Sequence, residues 1–221
     1  MPKETYGIAP KTAIILAAGK SVRFNGVTKQ LLSLGDELIV ERIIRQCKQH
    51  KYYPVVLTYN DEIINVATMN ECEFLYPHKA DTVCDTIGSM YGLWSPRTAI
   101  LLGDVIYSKD AMSRIMGSKA DFMAFGNAWE IFALSFNGKM SMNVKRAVEI
   151  AIETPPHKVR TVFMEYSYLS SMMKQDKYTL SKIDTFDYID DYTNDIDTLN
   201  DYKNFIIEVV DRNRLDDRRP A

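Results

Sequence analysis

Three short stretches of this 221-residue chain carry residue types and spacings suited to work on phosphate. The first is Leu16-Ala17-Ala18-Gly19-Lys20-Ser21-Val22-Arg23-Phe24, with Lys29-Gln30-Leu31 shortly after. Small residues at the end of an apolar run let backbone N–H groups approach an anion, and Arg23 and Lys29 supply positive charge to a polyphosphate. A phosphate loop over Leu16, Ala17, Ala18, Gly19, Lys20 and Ser21 is the expectation; a strand-to-helix turn with surface cations is the alternative. Gly19-Lys20-Ser21 is no Walker A loop, because that motif needs a glycine where Ile14 stands. The second stretch is Leu101-Leu102-Gly103-Asp104-Val105. A carboxylate at the C-terminal end of a buried parallel strand opens into the crevice where such sheets bind ligands, and Mg²⁺ takes one or two carboxylates plus phosphate oxygens. The competing role for Asp104 is to cap the next turn. The third is Asn194-Asp195-Ile196-Asp197-Thr198-Leu199-Asn200-Asp201. Asp195 and Asp197 alternate, so on an extended segment they share a side. Helix capping accounts for Thr198 and Asp201 and leaves these two aspartates unexplained.

The elements that must position these residues follow from apolar periodicity. Thr12–Ala18 is a continuous apolar run, the pattern of a strand buried on both faces, and Tyr53–Tyr59, Cys72–Tyr76 and Thr98–Gly103 repeat it. Between them, Ile39, Ile43, Ile44 and Cys47 recur at helical spacing over Glu37–His50. Thr82 and Asp85 form a capping box before Val83, Ile87, Met90, Tyr91 and Trp94. Strand and helix thus alternate through the first half, which argues for a parallel sheet covered on both faces. In the second half, Asp121–Asn127 and Ile131–Phe136 read as strands around a turn at Ala128-Trp129-Glu130. Ser141–Glu153 reads as a helix stopped by Pro155-Pro156, and Arg160–Met164 as a short strand. Thr198 with Asp201 opens a last helix through Val210. One domain over residues 1–210 and a charged, frayed tail over 211–221 is the simplest organisation.

Composition excludes several classes. Lys plus Arg total 27 against 29 acidic residues, a net charge of −2 that gives no nucleic-acid footprint. The longest apolar run is far short of the ~20 residues a membrane span requires, and Met1-Pro2-Lys3-Glu4 lacks the apolar stretch expected of a secretory signal. Cys47, Cys72 and Cys84 lack metal-ligand spacing, which points to reduced thiols and a cytoplasmic location. His50, His78 and His157 lie apart and read as surface or satisfied histidines. Thr82, Thr86 and Ser89 offer small polar groups at a helix start. Glu130 reads as a turn residue that could touch a substrate or simply face solvent.

Leu-Ala-Ala-Gly followed by Arg23 and Lys29, then Gly103-Asp104, then Asp195-Ile196-Asp197-Thr198, resembles the nucleotidyltransferases of GT-A-like, Rossmann-related fold. These include sugar-phosphate, molybdenum-cofactor and phosphocholine nucleotidyltransferases. The resemblance spans Thr12 to about Phe205, and Ser21 departs from it where many members carry a second glycine. It implies a three-layer α/β sandwich with a mostly parallel central sheet, and a Mg²⁺-dependent (or Mn²⁺-dependent) nucleotidyltransferase that moves a nucleoside monophosphate from a nucleoside triphosphate to a small phosphorylated acceptor. By the same resemblance Arg23 and Lys29 are catalytic. Leu16–Ser21, Thr82, Thr86 and Asp104 bind the nucleotide, and Asp104 holds the metal with Asp197, or with Asp195 as the alternative. Lys145, Arg146, Lys158 and Arg160 are the cations from which an acceptor site would draw. A GT-A glycosyltransferase using a nucleotide sugar, and a nucleotide-binding module without turnover, are the rival readings.

Overall fold

The apolar run near the start of the chain becomes β1 (Thr12–Leu16), buried along its whole length because parallel strands flank it on both edges and helices cover both faces. The structure, a computed structural model, describes residues 10–19, 27–173, 185–196 and 198–210. Lys20, Ser21, Arg23, Asp197 and the tail 211–221 lie outside the described residues. A short hairpin, β2 (Ser33–Leu34) and β3 (Glu37–Leu38), leads into α1 (Ile39–Gln49). The helix expected from Glu37 thus starts two residues later. Then follow β4 (Tyr53–Leu57), α2 (Asp61–Met69), β5 (Glu73–Leu75) and α3 (Val83–Gly88). The chain next crosses back to the other edge of β1 as β6 (Arg97–Leu102), and continues through β7 (Val105–Ile106), α4 (Lys109–Gly117), β8 (Phe122–Gly126) and β9 (Ile131–Asn137). The remaining elements are α5 (Ser141–Glu153), α6 (Val159–Met173), β10 (Phe186–Tyr188), β11 (Asn194–Asp195) and α7 (Leu199–Phe205), the last running on as a π-turn, Ile206–Val210.

Seven strands form one sheet in the order β10-β8-β9-β6-β1-β4-β5, with β9 antiparallel to both neighbours and every other adjacent pair parallel. Alternation along β1 sends Ala13 and Ile15 into one layer of core, beneath α1, α2, α4 and α7, and sends Ile14 and Leu16 into the other, beneath α3, α5 and α6. This is the three-layer α/β sandwich that the alternating pattern implies. The order reverses around β1: β4 and β5 lie to one side, and β6 to the other. Ligands of open α/β sheets bind at the carboxyl ends of strands where the order reverses in this way.

Two expectations are corrected. Arg160–Met164 is not a strand but the first turns of α6, because Val159, Val162, Phe163 and Tyr166 are buried at helical spacing against the sheet. The helix opened by Thr82 ends at Gly88, and Tyr91–Leu93 forms a separate 3₁₀ turn that carries Tyr91 against Trp94 edge-on. α2 and α4 were not legible as helices, although each has a capping side chain: Asn60 accepts from Glu62 N and Ile63 N, and Ser108 accepts from Ala111 N.

Candidate active site

Hydrogen bonds between backbones stitch the carboxyl ends of the three central strands. Ala17 N donates to Leu57 O at 2.9 Å, and Gly103 N donates to Leu16 O at 2.9 Å. The second contact explains the glycine: a Cβ at position 103 would lie 2.7 Å from Leu16 O and 3.2 Å from Ala17 Cβ. Only a residue without a side chain lets the chain leave β6 this close to β1 and turn Asp104 toward the crevice. Gly19, by contrast, has nothing among the described residues within 4 Å of where its Cβ would be.

Asp104 meets two partners there. Lys29 stands on the 3₁₀ turn Lys29–Leu31, buried to 7% exposure, with Nζ 3.5 Å from Asp104 Oδ2. β11 pairs antiparallel with β7, setting Asp195 opposite Val105, and Ile196 N donates to Asp104 O at 3.4 Å. Asp104 and Asp195 are thereby brought to one cavity of about 440 Å³, along with Leu16, Ala18, Gly19, Lys29, Thr82 and Thr86. Of the two aspartates at the third motif, Asp195 is the one the described residues place on the wall. Among those residues no group of three His, Cys, Asp or Glu side chains could hold a metal by itself. Two carboxylates with only oxygen donors suit a hard divalent cation that takes its other ligands from phosphate.

The acidic pair is braced from behind. Arg42, 1% exposed, donates through Nε and Nη2 to Tyr107 O and through Nη2 to Tyr192 OH. Gln46 Nε2 donates to the same carbonyl at 3.3 Å. Glu37, also buried, lies 3.9 Å from Arg42 and accepts both nitrogens of Arg45 at 2.9 Å. Arg42 thus grips the segment after Asp104 and the segment before Asp195 at once. Ser108 ties the same two segments, donating to Asp191 Oδ2 at 2.5 Å and through its backbone N to Thr193 Oγ1 at 2.9 Å. Tyr107 OH donates to Phe132 O at 2.8 Å. Burial holds that phenol well above the ordinary tyrosine range, and the charge of Asp104 adds to the effect.

The threonines on the opposite wall are engaged locally. Thr82 Oγ1 accepts from Asp85 N at 3.1 Å and donates to Asp85 Oδ2 at 2.9 Å, while Thr86 Oγ1 donates to Thr82 O at 3.1 Å. Capping therefore accounts for Thr82 here, as its alternative reading held, although both residues line the cavity. Burial alone would raise the Asp85 carboxyl; hydrogen bonds from Lys79 and Thr82 outweigh it and hold it below its usual value. Ala17 lines an adjoining space of about 600 Å³ that shares Ala18, Gly19, Ala80 and Asp81 with the first, so the two form a continuous trough past the loop.

Sequence reasoning passed over Gln30. It is 4% exposed and lines the same cavity as Lys29 and Asp104, with Oε1 unpartnered among the described residues. Its position directly after Lys29 was the available signal. His78, read as a surface histidine, is exposed at the mouth of the adjoining trough. Of the four cations considered for an acceptor, Lys158 lies on the cavity that Asp104 lines, 2.6 Å from Glu130 Oε1, and Arg160 lies on a neighbouring hollow. Lys145 sits instead over the Tyr91 ring and Arg146 beside Glu149, both on α5.

Residues 13–123 match the profile of the MobA-like NTP transferase domain. No curated protein matches the chain. Solved structures share its fold at low identity. The CTP:phosphocholine cytidylyltransferase of Streptococcus pneumoniae (LicC) superposes with TM-score 0.61 at 12% identity, covering 89% of this chain and 97% of its own. The inositol-1-phosphate CTP transferase of T. maritima gives TM-score 0.61 at 10% identity, covering 97% and 99%. Rv0371c of Mycobacterium tuberculosis, in complex with manganese, gives TM-score 0.60 at 15% identity, covering 90% and 100%. Among the described residues no helix is long and apolar enough to cross a membrane.

Proposed function

Because this chain belongs to the family of MobA-like NTP transferase domains, we propose that it transfers a nucleoside monophosphate from a nucleoside triphosphate to a phosphomonoester, with release of pyrophosphate. The observation that carries the reading is the convergence of Lys29, Asp104 and Asp195 on one cavity at the carboxyl ends of β1 and β6. The named activities of the structural neighbours, a phosphocholine and an inositol-1-phosphate transferase, support an acceptor of that kind.

In this reading the backbone after β1 and the cations Arg23 and Lys29 receive the triphosphate, with Lys20 and Ser21 completing the loop. Lys29 is held at the cavity by its ion pair with Asp104, so its ammonium group is placed before substrate arrives and little reorganisation is needed. An oxygen of the acceptor phosphate forms a bond to the α-phosphorus. The bond from that phosphorus to the bridging oxygen breaks, and its electron pair leaves with pyrophosphate. A phosphomonoester has its second pKa near 6, so at neutral pH it is ionised and needs no general base. The work left to the protein is alignment and charge neutralisation. Asp104 with Asp195, or with Asp197, would hold a divalent cation such as Mg²⁺ or Mn²⁺. Bound there, the cation would supply charge neutralisation on the triphosphate oxygens.

The test is a screen of four nucleoside triphosphates against phosphomonoesters with Mg²⁺, read by pyrophosphate release. One pair should turn over, and Asp104→Asn should lower its rate about 10²-fold or more, the scale of losing several kcal/mol of charge stabilisation. Normal turnover in excess chelator, or an unimpaired Asp104→Asn enzyme, overturns the assignment.

A further inference from the structure

The turn between β8 and β9 holds Trp129 out to solvent on a rigid support. Asn127 Oδ1 accepts from Trp129 N at 2.8 Å and Glu130 N at 2.9 Å, and Asn127 N donates to Glu130 O at 3.0 Å. A Cβ on Gly126 would overlap the Glu130 carbonyl, so the turn closes on a residue with no side chain. The indole is 80% exposed. A large aromatic fixed in that position contributes little to the core, and such groups mark contact sites.

Behind Trp129 lies a hollow of about 330 Å³ walled by Ile131, Phe163, Met164, Phe186 and Tyr188. It shares Glu130 and Ile131 with the reaction cavity, so a ligand reaching from one to the other passes over that pair. The hollow has the volume of about eleven water molecules at about 30 Å³ each, more than one aromatic ring with its linking carbon needs. The charges near it are informative. Arg160 lies on its wall, and Lys158 stands on the reaction-cavity side, engaging the Glu130 carboxylate at 2.6 Å. A cationic headgroup would meet Arg160 on the wall, the Glu130 carboxylate there being already engaged by Lys158. A sugar ring would turn part of its hydroxyls toward Phe163, Met164 and Phe186, which offer no hydrogen bonds, with Asn127, Glu130, Arg160 and Tyr188 the polar side chains of the wall, and unpaired polar groups are costly to bury.

We propose that this hollow binds the organic part of the acceptor, and that the acceptor is a phosphomonoester of an apolar, ring-sized alcohol whose phosphate points past Lys158 into the reaction cavity. The inference rests on the nucleotidyl-transfer reading and narrows its acceptor class. Pyrophosphate release is measured with benzyl phosphate, glucose 1-phosphate and choline phosphate in wild type and Trp129→Ala. The emission of wild type and variant is also titrated with benzyl phosphate alone. Benzyl phosphate should have a KM at least tenfold below the other two, and Trp129→Ala should raise it about tenfold without moving the KM for the triphosphate. The titration should shift the emission of wild type and not of the variant. Preference for glucose 1-phosphate or choline phosphate, or an unchanged KM in Trp129→Ala, overturns the proposal. If no ester releases pyrophosphate, the transfer reading has failed, and the titration then decides alone: a saturable shift that needs Trp129 upholds the hollow as an apolar phosphate-ester site, and a flat titration removes it.

Discussion

Gly103→Ala should produce an enzyme that folds and turns over slowly. The added methyl would lie 2.7 Å from Leu16 O, where ordinary contact begins near 3.4 Å, so about 0.7 Å must be found. Leu16 O cannot easily supply it, since it accepts the Gly103 N–H at 2.9 Å and belongs to the central strand. The free end is the turn that carries Asp104. Overpacking of this kind costs about 1–3 kcal/mol, and at this chain length each kcal/mol lowers Tm by about 2–4 °C. A 1 Å misplacement at a reacting centre costs about 10²-fold, so a shift somewhat under 1 Å predicts a loss of roughly 10- to 30-fold in kcat. The assay pairs calorimetric Tm with kcat from pyrophosphate release. Gly19→Ala is the control: with nothing among the described residues within 4 Å of its Cβ, it should leave Tm unchanged. A Gly103→Ala protein with a lowered Tm and wild-type kcat would refute the claim that this close approach sets the position of Asp104.

Three further outcomes are expected. Arg42→Met should lower the urea midpoint by the equivalent of about 3 kcal/mol, the lower end for breaking a buried ion pair, because Arg45 still engages Glu37; a midpoint within error of wild type would show that the clamp contributes nothing. Asp85 has its folded pKa below the unfolded value of 3.8, so its stabilising contribution is complete above that pH and is lost as pH falls through the folded pKa. Asp85→Asn should therefore be less stable than wild type at pH 7, with the gap closing below about pH 3.8 in paired denaturation curves, whereas a pH-independent gap would assign the loss to capping geometry. Cys47, Cys72 and Cys84 are all buried free thiols, with burial pushing Cys72 and Cys84 up to about 12. A thiol reagent at pH 8 should label none of them until denaturant is added, and labelling of the native protein within seconds would contradict that burial.

The central strands and the carboxylate on Gly103-Asp104 were legible in the sequence because a strand buried on both faces writes a continuous apolar run and a crevice carboxylate stands at its end. The pairing of Asp104 with Lys29 could be expected only through the family resemblance, since 75 positions separate them and no local rule joins them. α6 misled for a different reason: read over five residues, its β-branched start imitates a strand, and only the burial of Tyr166 a turn later reveals the helical period. α2 buries just Ile63 and Ala67, too few apolar positions to write a period at all. Gln30 was marked only by its place after Lys29, and the Arg42 brace left no pattern, because a buried polar residue on an amphipathic surface looks like any exposed one until its neighbours are known.

The brace between β7 and β11 also sets an order of events during synthesis. Asp195 reaches the cavity only by pairing with Val105, some ninety positions earlier, and α7 is then tied back to the β2 hairpin through Tyr202 OH and Ser33 O at 2.7 Å. A nascent chain that has emerged only as far as α6 contains β1, β4 and β6 but lacks the acid that β11 brings to the cavity. At about 5–20 residues per second of elongation, seconds pass between completion of β1, β4 and β6 and arrival of Asp195. On the proposed reading, the residues assigned to the triphosphate are all synthesised before the second of the cation-holding acids.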